Sequence, residues 1–186
     1  MREKILAILV VVILIALFVA TAIGFYFGAK GLYLIYLQNK YPLKYATQIA
    51  TYSTRYSLEP SLVSAVIYEE SSFDPNSNSA KGAVGLMQIL PETGRYIAGK
   101  LREEDFAESS LTDAETNIRY GCYYLSYLSQ RYGNLDNVLA AYNAGEGNVD
   151  KWLKNGDKVP FLETENFIKR VKTSQEYYKR LYFEGR

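Results

Sequence analysis

The stretch PSLVSAVIYEESSFDP, residues 60–75, decides the fold class, because it holds one helix, its stop and two adjacent carboxylates. Pro60 suits the first turn of a helix, where its missing N–H would have had no partner, and Asp74-Pro75 ends the run by biasing the backbone away from helix. Setting Leu62 at 0° and advancing about 100° per residue places Val66 near 40°, Val63 near 100° and Ile67 near 140°. The stripe centres at roughly 70°, so Glu70, at about 80°, falls in the middle of the buried face, and Glu69, at about 340°, at its edge. Glu69 is therefore expected to reach water. A carboxyl at the end of an apolar stripe loses solvation, which disfavours its charged form and raises its pKa, as a general acid working near neutral pH requires. Periodicity picks the residue and not its task. A Glu70 paired with Lys or Arg, or capping a neighbouring helix, fits the same pattern.

Working outward, the chain after residue 42 reads as short amphipathic helices broken by Gly, Pro and Asn, with no alternating run long enough for a sheet. Helices are expected over Leu43–Tyr56, Pro60–Ser72, Pro91–Lys100, Asp113–Tyr132, Leu135–Asn143, Val149–Lys154 and Glu163–Phe183. NSNSAKGAVG and NAGEGN between them are loops rich in residues that tolerate positive φ. No repeat and no Pro- or Ser-rich linker marks a second domain. The 186 residues suffice for one domain of ordinary size plus an appendage, and the fold class is mainly α.

Composition narrows the chemistry. The sequence has no histidine, which removes Ser-His and Cys-His nucleophile systems and most zinc sites, and leaves acid–base work to carboxylates, Lys or Tyr. No metal site and no cofactor is expected. The single cysteine, Cys122, sits in the run GCYYLSYL and reads as a small buried thiol. A formal charge of +1 with no basic block leaves no footprint for nucleic acid.

The N-terminus departs from globular composition. From Ile5 to Gly28 there is no charged residue, and a helix of that length, at about 1.5 Å per residue, exceeds the roughly 30 Å hydrocarbon core of a membrane. Ala20-Thr21-Ala22 imitates a signal-peptide cleavage site, but the apolar run is longer than the h-region of such a peptide, which favours an uncleaved anchor. The division expected is a short N-terminal segment 1–4, a transmembrane anchor 5–28, a juxtamembrane segment 29–42 and a helical domain 43–186. Tyr33 and Tyr36 then lie near the outer interface. Basic residues on both flanks do not choose an orientation.

The residues after the first helix are recognisable. Glu70-Ser71-Ser72-Phe73-Asp74-Pro75, Ser79, and Gly82-Ala83-Val84-Gly85-Leu86-Met87-Gln88-Ile89-Leu90-Pro91 closely resemble the E-S-x-F/W-x-P and S-x-x-G-A-x-G-L-M-Q-x-x-P blocks of the lysozyme-like lytic transglycosylase domain. Asn117-Ile118 with Gly121 and Tyr124-Leu125 resembles that family's N-I-x-x-G-x-x-Y-L helix, Ala141 to Gly145 its A-Y-N-A-G, and Glu163-Thr164 with Phe167 its late E-T-x-x-Y/F-V segment. Phe167 and Ile168 stand where Tyr and Val are usual. The resemblance covers roughly residues 44–182 and implies a lysozyme-like, goose-type-like helical domain.

It also implies roles. Glu70 would be the sole catalytic acid/base. Ser79, Gln88 and Asn143 would line the sugar cleft, Met87 would form part of its apolar wall, Tyr142 would place its hydroxyl near Glu70, and Glu163 would shape the far side. Asp74, before Pro75, reads as a turn-capping residue, so only one carboxylate is available where most glycosidases use two. The family's route solves this internally: Glu70 protonates the oxygen between N-acetylmuramic acid and N-acetylglucosamine, then deprotonates the muramic C6 hydroxyl, which attacks C1 and leaves a 1,6-anhydro sugar. A hydrolytic muramidase on the same fold and a non-catalytic wall-binding scaffold are the competing readings. The implied partner is the peptidoglycan glycan strand, with the domain outside the bacterial cytoplasmic membrane. The four tyrosines at 120, 123, 124 and 127 are expected to pack both sides of a central helix.

Overall fold

The computed structural model describes residues 1–156 and 160–184 and divides into two compact units, Met1–Pro42 and Leu43–Arg186. The first unit is one helix, α1, spanning Arg2–Lys40, apolar and exposed along its length. It is long and apolar enough to cross a membrane, and it continues through most of the segment expected to be juxtamembrane.

In the second unit the helices are α2 (Ala46–Arg55), α3 (Pro60–Ser71), α4 (Pro91–Leu101), α5 (Ala114–Tyr132), α6 (Leu135–Ala144), α7 (Glu146–Asn155) and α8 (Leu162–Tyr178). The last runs into a π-helical turn at Lys179–Phe183. A short 3₁₀ turn, Glu108–Thr112, precedes α5. It was not expected, since five residues carry no readable period. Among the described residues β-structure is limited to two isolated antiparallel bridges, Asn78 with Val84 and Val84 with Ile89.

Helix ends follow local chemistry. The Asp113 carboxylate accepts from the Thr116 N–H at 2.8 Å and the Asn134 side chain from the N–H groups of Asp136 and Asn137, so α5 and α6 both start on side-chain caps. Gly145, at φ 87°, both ends α6 and begins α7, which starts at Glu146 rather than Val149. One glycine with positive φ turns the chain in place and leaves no loop between the two helices. The start expected at Leu43 moves to Ala46, where Tyr45 takes a left-handed cap.

α3 lies along α8, α5 packs on α2 and α6, and α6 touches α7 and α8. The buried face of α5 carries Asn117, Ile118, Tyr120, Gly121, Cys122, Leu125 and Leu128, which makes it the central helix. Burial pushes the Cys122 thiol far above its ordinary range, as expected of an inert core cysteine.

Candidate active site

The last turn of α3 carries Glu69 and Glu70. Two consecutive non-glycine residues with positive φ, Ser72 at 51° and Phe73 at 63°, then reverse the chain, a conformation that costs about 1–2 kcal/mol per residue. Burial of Phe73, 1% exposed and tilted against Tyr178, offsets it. The Asp74 carboxylate accepts from the Asn76 N–H at 2.9 Å, closing the turn as its sequence position suggested. The Ser71 hydroxyl lies 2.8 Å from the Leu86 carbonyl and 3.0 Å from the Ile67 carbonyl, tying the end of α3 to the segment that carries Met87 and Gln88.

That segment is organised by Asn117 on α5. Its buried Oδ1 accepts from the Met87 N–H at 2.7 Å, and its Nδ2 donates to the carbonyls of Leu111 at 2.7 Å and Val84 at 2.9 Å. One side chain thus satisfies three backbone groups of the loop and the 3₁₀ turn. Gly85, at φ 81°, is required here twice over, because a Cβ would collide with the Asn117 amide and the Leu111 carbonyl. Gly121, one turn after Asn117, leaves room for the Met87 sulfur.

Gln88 sits at φ 47°, half-buried, and its Nε2 donates to the carbonyls of Ser77 at 3.0 Å and Gly85 at 2.9 Å. Two carbonyls facing the same nitrogen settle the amide orientation and leave Oε1 as an acceptor. The Thr164 hydroxyl donates to Asn143 Oδ1 at 2.9 Å, which leaves the Asn143 N–H pair without a partner among the described residues. Gln88, Tyr124, Tyr142, Asn143, Glu163 and Thr164 all line one cavity of about 520 Å³. It offers an acceptor, a donor pair, a hydroxyl and a carboxylate beside two aromatic rings that pack against each other with centroids 5.8 Å apart. Such a lining suits a neutral ligand with many hydroxyl or amide groups and apolar faces. Among the described residues no three His, Cys, Asp or Glu side chains gather as a metal set.

Glu70 is half-buried and its carboxyl makes no hydrogen bond or ion pair among the described residues. Loss of water around it pushes its pKa up from the ordinary 4.5 to about 7; Arg170 pulls it down, while Glu69 and Glu163 push it further up. Tyr142 is held well above its ordinary range, first by burial and then by the charge of Glu70, so it stays a neutral phenol. Glu70 is not itself part of the cavity wall, but charge couples it to Glu163 and Tyr142, which are.

The structure corrects several sequence expectations. Glu69 is mostly covered rather than open to water: its side chain is 11% exposed, with Arg170 Nε at 2.9 Å and the Ser174 hydroxyl at 2.5 Å. The helical wheel places it correctly at the stripe's edge, but a second helix, α8, covers that edge. Met87 forms no cleft wall; it is fully buried against Gly121. The Tyr142 hydroxyl donates a hydrogen bond to the Met87 carbonyl at 2.7 Å. Ser79 is exposed, and its oxygen accepts from the Ala83 N–H at 3.0 Å within a turn outside the cavity wall. Of the tyrosines on α5, Tyr120 donates to Glu103, Tyr123 packs edge-on against Tyr56 and Tyr124 lines the cavity. Asn117, Tyr124 and Thr164 were not singled out for these roles, although all three lie inside the quoted motifs.

Comparison with known proteins shows the family of the chain. The transglycosylase SLT domain family matches residues 47–163. The soluble lytic murein transglycosylase of Escherichia coli K12 is 34% identical over 163 residues, 81% of this chain and 25% of that protein. The membrane-bound lytic murein transglycosylase C of Yersinia pestis (strain Pestoides F) is 32% identical over 168 residues, 74% of this chain and 47% of that protein. The crystal structure of the 70-kDa soluble lytic transglycosylase of E. coli superposes with a TM-score of 0.73 at 34% identity, covering 80% of this chain and 26% of that one. The chain thus spans about a quarter to a half of the length of these relatives. An inactive mutant of the Pseudomonas aeruginosa lytic transglycosylase, with a glutamate replaced by glutamine, superposes with a TM-score of 0.72 at 29% identity, over 78% of this chain and 25% of that one.

Proposed function

Since the chain belongs to the transglycosylase SLT domain family, we propose that it is a membrane-anchored lytic transglycosylase that cuts the bond between N-acetylmuramic acid and N-acetylglucosamine in peptidoglycan, leaving 1,6-anhydro ends. The observation that carries this reading is Glu70: a carboxyl without hydrogen-bond or ion-pair partners, kept protonated to about pH 7 beside a cavity with a sugar-like lining. The protonated form donates to the glycosidic oxygen, and the carboxylate left behind takes the proton of the muramic C6 hydroxyl as that oxygen closes on C1. One group serves as acid and then base, so no second carboxylate is needed. The internal nucleophile has a high effective concentration, which replaces the water that a two-carboxylate site must activate. Gln88 Oε1 and the Asn143 amide supply an acceptor and a donor for acetamido and hydroxyl groups, with Tyr124 and Tyr142 against the ring faces and Glu163 at the far side. Ser79 acts indirectly, by closing its turn.

Mass spectrometry of muropeptides released from purified sacculi tests the reaction. Anhydro products, one water lighter than the hydrolytic ones, are expected. Reducing N-acetylmuramic ends would assign a hydrolytic muramidase on the same fold, and no release at all would favour a wall-binding scaffold.

Tyr142 enters this scheme through Met87. By donating its hydroxyl hydrogen bond to the Met87 carbonyl it holds the loop carrying Gln88. Tyr142→Phe keeps the ring and removes one hydrogen bond of about 1–1.5 kcal/mol, so kcat should fall roughly tenfold with KM little changed. Wild-type kcat in steady-state assays would remove the tyrosine hydroxyl from the mechanism.

The anchor is α1, with residues 5–28 as the span, 29–42 following it, and the catalytic unit at 43–186 on the wall side of the cytoplasmic membrane. The name of the membrane-bound relative and the length and apolarity of α1 support it. The full chain should stay in the membrane fraction through high-salt and carbonate washes, because a buried span is not screened as surface charge is. Release of a form beginning near Ile23 would instead establish cleavage of a signal peptide.

A further inference from the structure

The two glutamates at the end of α3 point about 100° apart, and the structure commits them to opposite surroundings. Glu70 has no hydrogen-bond or ion-pair partner among the described residues, whereas Glu69 reaches across to α8. There Arg170 and Ser174, four residues apart and so on one face of the helix, take one carboxylate oxygen each: Arg170 Nε to Oε2 at 2.9 Å and Ser174 Oγ to Oε1 at 2.5 Å. The pair is asymmetric in its surroundings. Glu69 is 11% exposed and Arg170 53%, so the negative end is held in the protein and the positive end faces water. Two charge-assisted hydrogen bonds, one to each oxygen, fix the orientation of this carboxylate on α8.

We propose that Glu69, Arg170 and Ser174 are positioning residues, a clamp that fixes the last turn of α3 on α8, and with it the direction of the Glu70 carboxyl, while pairing the positive charge of Arg170 with the negative charge of Glu69 beside that carboxyl. The inference rests on the reading of Glu70 as the acid and base. The clamp provides more than rigidity because its two charges act on Glu70 in opposite directions. The groups whose charge bears on Glu70 are Glu69 on its own helix, Arg170 and Glu163 on α8, and Tyr142 on α6. Arg170 favours the carboxylate, and Glu69 and Glu163 favour the acid. With the clamp closed, Arg170 and Glu69 oppose one another, and desolvation, the largest influence, raises the acid toward neutrality together with Glu163. Opening it on one side leaves the other charge uncompensated.

The test combines pH–rate profiles on purified sacculi with a direct titration of Glu70 by ¹³C-carboxyl NMR, using the full chain in detergent micelles and Glu70→Gln to assign the resonance. Glu69→Gln keeps an acceptor for Ser174 but leaves Arg170 unbalanced, so the titration and the alkaline limb of the rate should both move down by about half a pH unit or more. Arg170→Gln leaves Glu69 unbalanced and should move both up by a similar amount. The double variant Glu69→Gln with Arg170→Gln should bring the titration back near wild type while kcat stays low, because charge is balanced and the tether is gone. Arg170→Lys keeps the charge without the guanidinium and should titrate as wild type. Single variants that shift in the same direction, or that leave the Glu70 titration unmoved, would overturn the clamp. Should Glu70→Gln itself retain turnover, the acid/base reading fails, and the NMR titration still decides whether the three residues govern Glu70.

Discussion

Glu70→Gln is expected to lower turnover of sacculi by about 10²–10⁴-fold, the usual contribution of a positioned acid or base, and at the same time to make the folded protein more stable above pH 7. Both effects come from one cause. The amide keeps the shape of the side chain and cannot carry a proton to the glycosidic oxygen or take one from the C6 hydroxyl. It also carries no charge, and charge is what this position disfavours. The carboxyl's pKa is raised on folding, from the ordinary 4.5 to about 7, so the folded state binds the proton more tightly than the unfolded chain. Its contribution to stability is fully present below pH 4.5 and is lost as pH rises through 7. Across that window the wild type should lose about 3 kcal/mol relative to the Gln variant. Thermal unfolding of the two proteins at pH 4 and pH 8 measures it. Melting curves that stay parallel at both pH values, or turnover near wild type, would show that Glu70 is an ordinary solvated carboxylate.

Asn117→Ala should produce the largest loss of stability. The side chain is fully buried, and truncating it strands the Met87 N–H and the carbonyls of Val84 and Leu111. Orphaned buried groups cost about 1–3 kcal/mol each, and partial relaxation leaves a net loss of about 3–5 kcal/mol, or a fall in Tm of roughly 10 °C or more for a domain of this size. Asn117→Asp separates hydrogen bonding from volume. It retains the acceptor for Met87 and turns the two donors into an oxygen that faces two carbonyls, so it should be no better than Ala although nearly isosteric. Near-UV circular dichroism of the tyrosines on heating reads both. An Asp variant that melts with the wild type would mean that the amide donors contribute nothing. Activity should fall along with stability, because the same three bonds hold Gln88 in its left-handed conformation at the cavity.

The helices were legible because each carries its own start, stop and stripe. Pro60 opens α3 and Asp74-Pro75 follows its end, and Asp113 and Leu135 stand within a residue of the starts of α5 and α6, each signal lying beside the helix it bounds. Glu70 was legible for the same reason: a residue at the centre of an apolar stripe loses water whatever the stripe packs against. The long apolar helix α1 needed nothing beyond its composition.

What depended on partners distant in sequence was not legible. Glu69 reads as an exposed edge residue on the wheel of α3, and only α8, 101 residues later, covers most of it with an ion pair to Arg170. Met87 reads as cleft wall from its place in the motif, yet the space beside Gly121 draws it into the core and leaves its carbonyl, instead of its side chain, to meet Tyr142. Local periodicity reports which face of a helix is apolar, so the sequence by itself determined most of the helices, the desolvation of Glu70 and the membrane-length segment. Tertiary structure decided which polar groups face one another, since a hydrogen bond or ion pair requires two atoms about 3 Å apart and the pattern along one helix holds no information about the partner's distance.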